Sequence, residues 1–352
     1  MEVGVFDHLD RGTVSLQEFY RARLELVQLY EQAGFYSYHV AEHHGSPIGM
    51  APSPNVFFAA MAQRTRRLRF GPLVYVLPLY HPLRLIEEIA MLDHLSAGRM
   101  ELGFGRGASP IESRSYGADP ALRGEVYEEA LELVLGGLTS ERLTFHGKYY
   151  HFDDVPLVMK PLQRPIPPLW YGSHSPESAA FAARKGMQIV SLDGPGKTRT
   201  YTDRYREVWR ASYGDAQPLP RLGLGRFIVV GSSDEAAMTL ARRAYRRWYH
   251  SFYYLMREFP DPTWQHVHIR PPEFDQLRET GQGVAGSPAT VSQFLIEHLA
   301  QAGCNYLLGQ FAFGDLTLSE ARKSLELFVI RVMPELQAAQ AAGLLQPSAQ
   351  AC

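Results

Sequence analysis

Residues 69–107 read RFGPLVYVLPLYHPLRLIEEIAMLDHLSAGRMELGFGRG, and this stretch decides the fold. It begins with an apolar run at Arg69–Leu77, continues with a helical pattern at Pro82–Leu95, and ends in a second apolar run at Arg99–Phe104. Proline is well tolerated in the first turn of a helix, and glycine, here Gly98, is typical just beyond the last turn. The stretch therefore predicts a strand, a helix and a second strand parallel to the first.

The same alternation of apolar runs and helical patterns extends over most of the chain. Further strands are predicted at Val3–Phe6, Tyr36–Ala41, Leu169–Tyr171, Gln188–Leu192, Phe227–Val230 and Asn305–Gln310. Eight apolar strands separated by helices predict a parallel sheet that is covered on both faces. An α/β fold of the (β/α)8 TIM-barrel type with insertions fits the 352 residues, since such barrels need about 250. A doubly wound open sheet is the structural alternative.

These elements are expected to form one domain over residues 1–336, followed by an alanine- and glutamine-rich tail at 337–352. Two longer segments interrupt the pattern. The first, at about 139–168, predicts a small hairpin and a proline-rich traverse. The second, at about 248–287, is rich in aromatic residues and is interpreted as a lid or pocket wall, the alternative being a satellite cluster packed against the barrel.

Composition and charge exclude several function classes. The formal net charge is −2 and the basic residues are scattered, so nothing favours nucleic acid or an anionic membrane surface as a partner. The only cysteines are Cys304 and Cys352, which excludes a disulfide framework and a zinc ribbon. No signal-peptide pattern and no apolar run of membrane-spanning length is visible, so a reducing, cytoplasmic location is expected.

Polar motifs follow four of the predicted strands. Glu42–His44 follows the second strand, Tyr80–His81 the third, Gly105–Gly107 the fourth and Ser173–Ser178 the fifth. In a TIM barrel, catalytic residues lie where the strands end. The four motifs are therefore expected to share one barrel mouth.

The segment after the fifth strand predicts an anion site. Ser175 suits the N-cap position, Pro176 the first helical position, and Ser178 adds a hydroxyl in the first turn. Free backbone N–H groups and the positive end of the helix dipole attract phosphate, although an ordinary capped helix has the same pattern. Arg106 adds a guanidinium that can bind phosphate through two hydrogen bonds. Its flanking glycines do not match a dinucleotide fingerprint, because the spacing differs and a polar loop follows rather than a helix.

The histidines after the second strand leave three interpretations open. Neighbouring strand residues point to opposite sides, so at most one of His43 and His44 is expected to face the barrel mouth. This geometry disfavours a metal site that uses both, and no ligand pair at a recognised metal-binding spacing supports one. A metal site that uses Glu42 and one of the pair with His81 or His174, a structural histidine, and a proton-transferring histidine beside a bound ligand remain open.

Taken in order, several motifs resemble those of the bacterial-luciferase-like, flavin-dependent oxidoreductases. They are AEHH at 41–44, the run from 64 to 107, YGADP at 116–120 and YGSHSPESAAFAARKG at 171–186. The resemblance extends from the first strand to Met333–Leu336. It implies a (β/α)8 barrel that is usually a homodimer, and the small-residue face Ala59–Ala62 of the second helix favours a dimer further.

The resemblance implies an FMN-dependent monooxygenase. Reduced FMN would come from a separate flavin reductase and would react with O2 to give a C4a-hydroperoxyflavin, which oxygenates a small and apolar substrate. Such a species survives only in a dry site, and the aromatic segment at 248–287 occupies the place of the family's mobile lid. An F420-dependent dehydrogenase and a non-catalytic flavin-binding protein are the alternatives.

The resemblance also assigns the cofactor phosphate. Arg106, Ser175 and Ser178 would hold it, and the backbone of His174 would assist. Family members tend to have another arginine facing the phosphate, for which Arg123 is a candidate.

The flavin ring and the proton-transferring group are assigned in the same way. Leu73 and Val74 would lie under the ring, where family members often have a bulge with a non-proline cis peptide. His43 matches the catalytic histidine, and His44 is expected to be structural. Light-emitting members have a reactive cysteine at the position of Gly105, so luminescence is not expected here.

Overall fold

The computed structural model describes residues 1–260 and 270–345. The strands are β1 Glu2–Asp7, β2 Ser37–Val40, β3 Arg69–Pro72, β4 Tyr75–Val76, β5 Leu102–Gly105, β6 Arg142–His146, β7 His151–Pro156, β8 Leu169–Gly172, β9 Gln188–Ser191, β10 Leu222–Val230, β11 Gly283–Gly286 and β12 Tyr306–Gln310. The helices are α1 Leu16–Gln32, α2 Pro54–Ala62, α3 Pro82–Leu95, α4 Pro110–Ser115, α5 Arg123–Thr139, α6 Pro176–Arg184, α7 Pro195–Tyr213, α8 Asp234–Phe252, α9 Tyr254–Glu258, α10 Phe274–Glu279, α11 Pro288–Ala302, α12 Leu318–Leu327 and α13 Met333–Ala341.

The main sheet is parallel and curls into a barrel. Its strand order is β3-β2-β1-β12-β10-β9-β8-β5-β4, with β11 added beside β10. β3 and β4 are two halves of one strand, interrupted at Leu73–Val74. A parallel bridge between Phe70 and Met100 connects β3 to the segment that enters β5, so the strand order returns on itself. The predicted (β/α)8 barrel is confirmed.

A polar cluster fills part of the barrel interior. The carboxylate of Glu101 accepts hydrogen bonds from Arg69 at 2.7 Å, Tyr36 at 2.6 Å and Trp170 at 2.5 Å. A buried carboxylate needs such partners because it has lost its water. The ring of His39, also fully buried, lies 3.8 Å from the same carboxylate. Burial lowers the pKa of His39 to about 4, although Glu101 opposes the shift.

The structure of the first interrupting segment was predicted from the sequence, and that of the second was predicted only in part. Residues 139–168 contain the antiparallel hairpin of β6 and β7, as expected. In the second segment, α8 continues to Phe252, and α9, α10 and the short strand β11 follow. Trp264, His266 and His268 lie outside the described residues. The C-terminal tail expected from residue 337 begins inside α13, which ends at Ala341.

Helix α4 was not predicted. Sequence reasoning placed a polar loop after the fourth strand, but α4 occupies Pro110–Ser115. Ser109 caps α4 by accepting a hydrogen bond from the backbone N–H of Glu112 at 3.1 Å, and Pro110 is its first residue. Within the described parts of the chain, no helix is both long and apolar enough to span a membrane.

Candidate active site

The strand ends bring the singled-out residues to one end of the barrel. His43 lies after β2, the Leu73–Val74 peptide between β3 and β4, Arg106 after β5 and Ser173–Ser178 after β8. Parallel strands have their carboxyl ends at the same rim of a barrel. We divide this rim into an imidazole side, formed by the residues after β1 and β2, and a phosphate side, formed by those after β5 and β8.

His43 is the histidine of its pair that faces the mouth. Its side chain is 24% exposed, and Nδ1 lies 3.4 Å from a carboxylate oxygen of Glu112. Its ring stacks on His8, with 5.9 Å between centroids and 15° between planes. On the other side, a Cβ at Gly49 would lie 2.6 Å from the Cβ of His43, so only glycine allows this close approach. The imidazole is therefore confined but accessible.

His44 points away from the mouth into a buried hydrogen-bond network. Its Nε2 lies 2.8 Å from a carboxylate oxygen of Glu42, and its Nδ1 lies 2.8 Å from the hydroxyl of Tyr116. The other oxygen of Glu42 accepts hydrogen bonds from the hydroxyl of Tyr80 at 2.8 Å and the backbone N–H of Val76 at 3.2 Å. These contacts connect the loop after β2 to β4 and to the residue that follows α4.

Glu112 connects the two histidines, and sequence reasoning missed it. Its Oε1 accepts a hydrogen bond from the backbone N–H of His44 at 3.0 Å and also lies near Nδ1 of His43. It is buried at 5% exposure in α4, the helix that sequence reasoning missed. A signal was present, because Ser109 followed three residues later by glutamate is typical of a helix N-terminus.

His8, directly after β1, is a second residue that sequence reasoning missed. Burial lowers the pKa of His8 well below its ordinary value, and the charges of His43 and Arg270 act in the same direction. The imidazole of His8 is therefore neutral at neutral pH. Its ring lies 5.4 Å from that of Trp248 and 6.5 Å from that of Phe252, which together form an aromatic wall.

The phosphate side contains two neighbouring arginines. Arg106 is exposed and forms no ion pair with any described residue. Burial and the charge of Arg106 lower the pKa of Arg123, whose guanidinium donates to the Ala108 carbonyl at 3.1 Å. Burial raises the pKa of Tyr171 on β8, and the charge of Arg106 opposes that rise. The two guanidinium groups and the end of β8 therefore lie close together.

Ser173–Ser178 forms a complete helix cap. The hydroxyl of Ser175 accepts a hydrogen bond from the backbone N–H of Ser178 at 3.1 Å. The hydroxyl of Ser178 accepts from the backbone N–H groups of His174 and Ser175, both at 3.1 Å. The positive end of α6 thus faces the same rim as Arg106, in a loop that its own hydrogen bonds already order.

The interrupted strand lies between the two sides. The Leu73–Val74 peptide bond is cis, as the resemblance implied. A Cβ at Gly105 would lie 2.4 Å from a methyl carbon of Val74. At the position that matches the reactive cysteine of light-emitting proteins, this chain therefore has no room for a side chain.

The described residues contain no group of three or more His, Cys, Asp or Glu side chains that could hold a metal ion. The mouth offers instead a confined imidazole, two cations, a capped helix N-terminus and an aromatic wall. Such a set can bind a phosphate, hold a planar ring and move a proton.

Comparison with known proteins identifies the family. The family model for luciferase-like monooxygenases matches residues 1–304. The protein y4wF of Sinorhizobium fredii is 44% identical over 315 residues, covering 90% of this chain and 91% of its own. The oxygenase component of the flavin-dependent trigonelline monooxygenase of Acinetobacter baylyi is 29% identical over 248 residues, 68% of each chain.

A solved structure shares the fold. It is the oxygenating constituent of 3,6-diketocamphane monooxygenase from Pseudomonas putida in complex with FMN, with a TM-score of 0.74 at 21% identity. The match covers 95% of this chain and 98% of that one. The chain therefore belongs to the luciferase-like monooxygenases, a family of flavin-dependent enzymes.

Proposed function

We propose that this protein is the oxygenase of a two-component system, which accepts reduced FMN from a separate reductase and uses O2 to oxygenate a small organic substrate. The observation that carries the proposal is that His43, held next to the buried Glu112, faces the same rim as Arg106 and the N-terminus of α6. Two of the similar proteins support it through their names, as an oxygenase component and an oxygenating constituent.

The residues present fit FMN. Arg106 and Arg123 provide positive charge beside a helix N-terminus, the combination that phosphate prefers. The flavin ring would lie on the cis Leu73–Val74 peptide, where Gly105 leaves the backbone uncovered except for the side chain of Val74. Bound in this way, the cofactor supplies the electrons that activate O2.

The chain's own residues manage protons and water. His43 holds or donates a proton at its exposed ring edge, and Glu112 fixes the ring through Nδ1. His8 stays neutral beside it, so the ring of His8 adds no positive charge to the imidazole side. Trp248 and Phe252 keep water away from this side, and their rings stack at 4.9 Å between centroids.

A stopped-flow experiment tests the proposal. Reduced FMN is mixed with the protein and O2, and flavin absorbance is followed alongside free FMN. We expect slower reoxidation, with a transient band that differs from oxidised FMN. Reoxidation as fast as that of free FMN would contradict the proposal.

A binding comparison separates the alternatives. FMN and F420 are titrated against the protein, and the quenching of cofactor fluorescence is measured. Tighter binding of F420 would favour a dehydrogenase. Tight binding of oxidised FMN without any change in the oxygen reaction would favour a non-catalytic flavin-binding protein.

A further inference from the structure

A third cation, Arg270, lies at the mouth, and two neighbours fix its position. Its guanidinium donates a hydrogen bond to the carbonyl oxygen of Leu192, after β9, at 3.2 Å. Its backbone N–H donates to the hydroxyl of Tyr253, after α8, at 2.6 Å. The Leu192 carbonyl also accepts a hydrogen bond from Gln282 at 3.0 Å. The side chain is therefore held over the end of β9.

The charge of Arg270 acts on the imidazole side. It is one of the causes, after burial and His43, that lower the pKa of His8. Leu192, to which it is bound, packs against the barrel wall, because a Cβ at Gly225 of β10 would lie 2.3 Å from its side chain. Leu192 also joins the buried cluster that contains Leu73. Arg270 thus adjoins the interior beneath the proposed flavin ring.

Among the described residues, Arg270 forms no ion pair. Burial lowers the pKa of Arg270, and Tyr245 and Asp193 oppose this lowering. The carboxylate of Asp193 is itself engaged by the hydroxyl of Tyr201 at 2.9 Å and by Lys197 at 3.5 Å. A guanidinium has five N–H donors, and a charge removed from water without a partner is unfavourable. An anionic ligand would remove that penalty.

Aromatic residues lie beside these polar neighbours, and Arg226 of β10 is a second nearby cation, since burial lowers the pKa of Arg226 to about 9 and the charge of Arg270 acts in the same direction. Trp248 is 1% exposed, and its ring stacks on that of Phe252. The ring of Phe252 in turn lies 5.1 Å from that of Tyr253, the residue that holds the Arg270 backbone. A ligand at this place would meet the guanidinium of Arg270 and the partly exposed rings of Phe252 and Tyr253.

We propose that Arg270 binds a carboxylate of the substrate, and that the substrate is an aromatic or similarly apolar carboxylic acid whose body lies against Phe252 and Tyr253. This inference rests on the proposed function, since it needs the cofactor phosphate on the phosphate side and the flavin ring between the two sides of the mouth. A planar carboxylate matches the guanidinium fork through two hydrogen bonds. The cofactor phosphate has its own arginines, because the charge that acts on Arg123 and Tyr171 is that of Arg106.

The test uses three acids and their primary amides. Benzoate, phenylacetate and 3-phenylpropionate are titrated by calorimetry into the protein saturated with oxidised FMN, and each amide is titrated in parallel. We expect at least one acid to bind about tenfold or more tightly than its amide, as a charge-assisted pair predicts. Arg270→Gln should abolish this preference, and Arg270→Lys should keep part of it.

A matched control comes from the same region of the chain. Arg257 is exposed and donates to the His250 carbonyl at 2.6 Å, so Arg257→Gln should keep the full preference. The inference is overturned if no acid binds, if the amides bind equally well, or if Arg270→Gln retains the preference. It is also overturned if Arg270→Gln weakens FMN binding and leaves the acid preference intact, which would place the guanidinium on the cofactor.

The outcome does not depend on oxygenase activity. FMN affinity and slow flavin reoxidation are measured on the same samples without any acid. If both are observed while the acid preference is absent, the oxygenase proposal stands and only the carboxylate site fails. Thermal unfolding of Arg270→Lys and Arg270→Gln checks that both variants are folded.

Discussion

The two sides of the barrel mouth are built in different ways. On the imidazole side, His44 is held by Glu112, which lies 68 positions away in the sequence, and by Tyr116, which lies 72 positions away. On the phosphate side, the side-chain hydrogen bonds of Ser173, Ser175 and Ser178 span at most five positions, and Arg106 is exposed. One side is set by the tertiary structure and the other by local sequence.

This difference indicates a division of labour. A group that moves a proton needs its donor and acceptor atoms fixed closely, and only buried partners from several elements can do so. A phosphate has negatively charged oxygens on several sides, so cations can bind it in more than one arrangement. Changes on the imidazole side should therefore affect reaction rate, and changes on the phosphate side should affect cofactor affinity.

Replacing His43 should have the largest effect and should affect only the imidazole side. We expect His43→Ala to slow O2-dependent substrate oxygenation by about 10²–10⁴-fold, the usual contribution of a positioned acid or base. FMN affinity should stay nearly unchanged, because the phosphate side is intact. Single-turnover product analysis and fluorescence titration measure the two quantities. An equal loss of FMN affinity would contradict the separation of the two sides.

The buried interior below the imidazole side should respond to acid. Since burial lowers the pKa of His39 to about 4, against about 6.5 in an unfolded chain, its contribution to stability is fully present above about pH 6.5. That contribution is lost as the pH falls toward 4, and it amounts to about 3 kcal/mol. Urea unfolding at pH 7 and pH 4 should show this extra loss in the wild type.

His39→Gln provides the comparison for that measurement. The variant lacks the titrating ring, so its loss between the two pH values should be smaller by about 3 kcal/mol. His151→Gln, at an exposed position on β7, should behave like the wild type. Equal losses in the wild type and His39→Gln would show that another group controls the acid response.

Removing Arg106 tests the phosphate side. We expect Arg106→Ala to weaken FMN binding by about 10- to 100-fold, since a hydrogen bond to a charged group contributes about 1.5–3 kcal/mol. The rate at saturating FMN should change little. Arg184→Ala, at the exposed far end of α6, is the matched control in fluorescence titration. Unchanged FMN affinity in Arg106→Ala would remove Arg106 from the phosphate site.

The smallest effect concerns Glu112, which acts through His43 and is therefore a positioning residue. We expect Glu112→Gln to slow oxygenation by about tenfold, the order of one charge-assisted hydrogen bond. FMN affinity should not change, and Glu112→Asp should recover part of the rate. Glu128→Gln, on the exposed face of α5, should have no effect. If Glu112→Asp is as slow as Glu112→Gln, the carboxylate does not orient the imidazole.

The fold was largely predictable because its signals are local. Apolar runs such as Arg99–Phe104 and capped helices such as α6 can be recognised from a few neighbouring residues. The structure moved several boundaries, starting β5 at Leu102 and extending β10 back to Leu222. The strand β11, at Gly283–Gly286, was missed because a four-residue, glycine-rich segment has almost no strand pattern.

The site was predictable only in part. Arg106 and Ser173–Ser178 lie in motifs whose neighbouring residues already indicate an anion site. Glu112, His8 and Arg270 gain their importance from contacts with distant elements, which no local pattern reveals. Trp248 and Phe252 were interpreted as the start of the segment at about 248–287, whereas they lie within α8.

The contact between Gly49 and His43 bears on how this scaffold could be re-engineered. A larger residue at position 49 has to push the backbone of the neighbouring loop, which turns the imidazole to a new angle without deleting it. In a mutant library, clones selected only for soluble expression should accept small side chains at position 49, whereas clones selected for turnover should retain glycine. Substitution at position 49 is therefore a way to change which atom of a substrate is oxygenated.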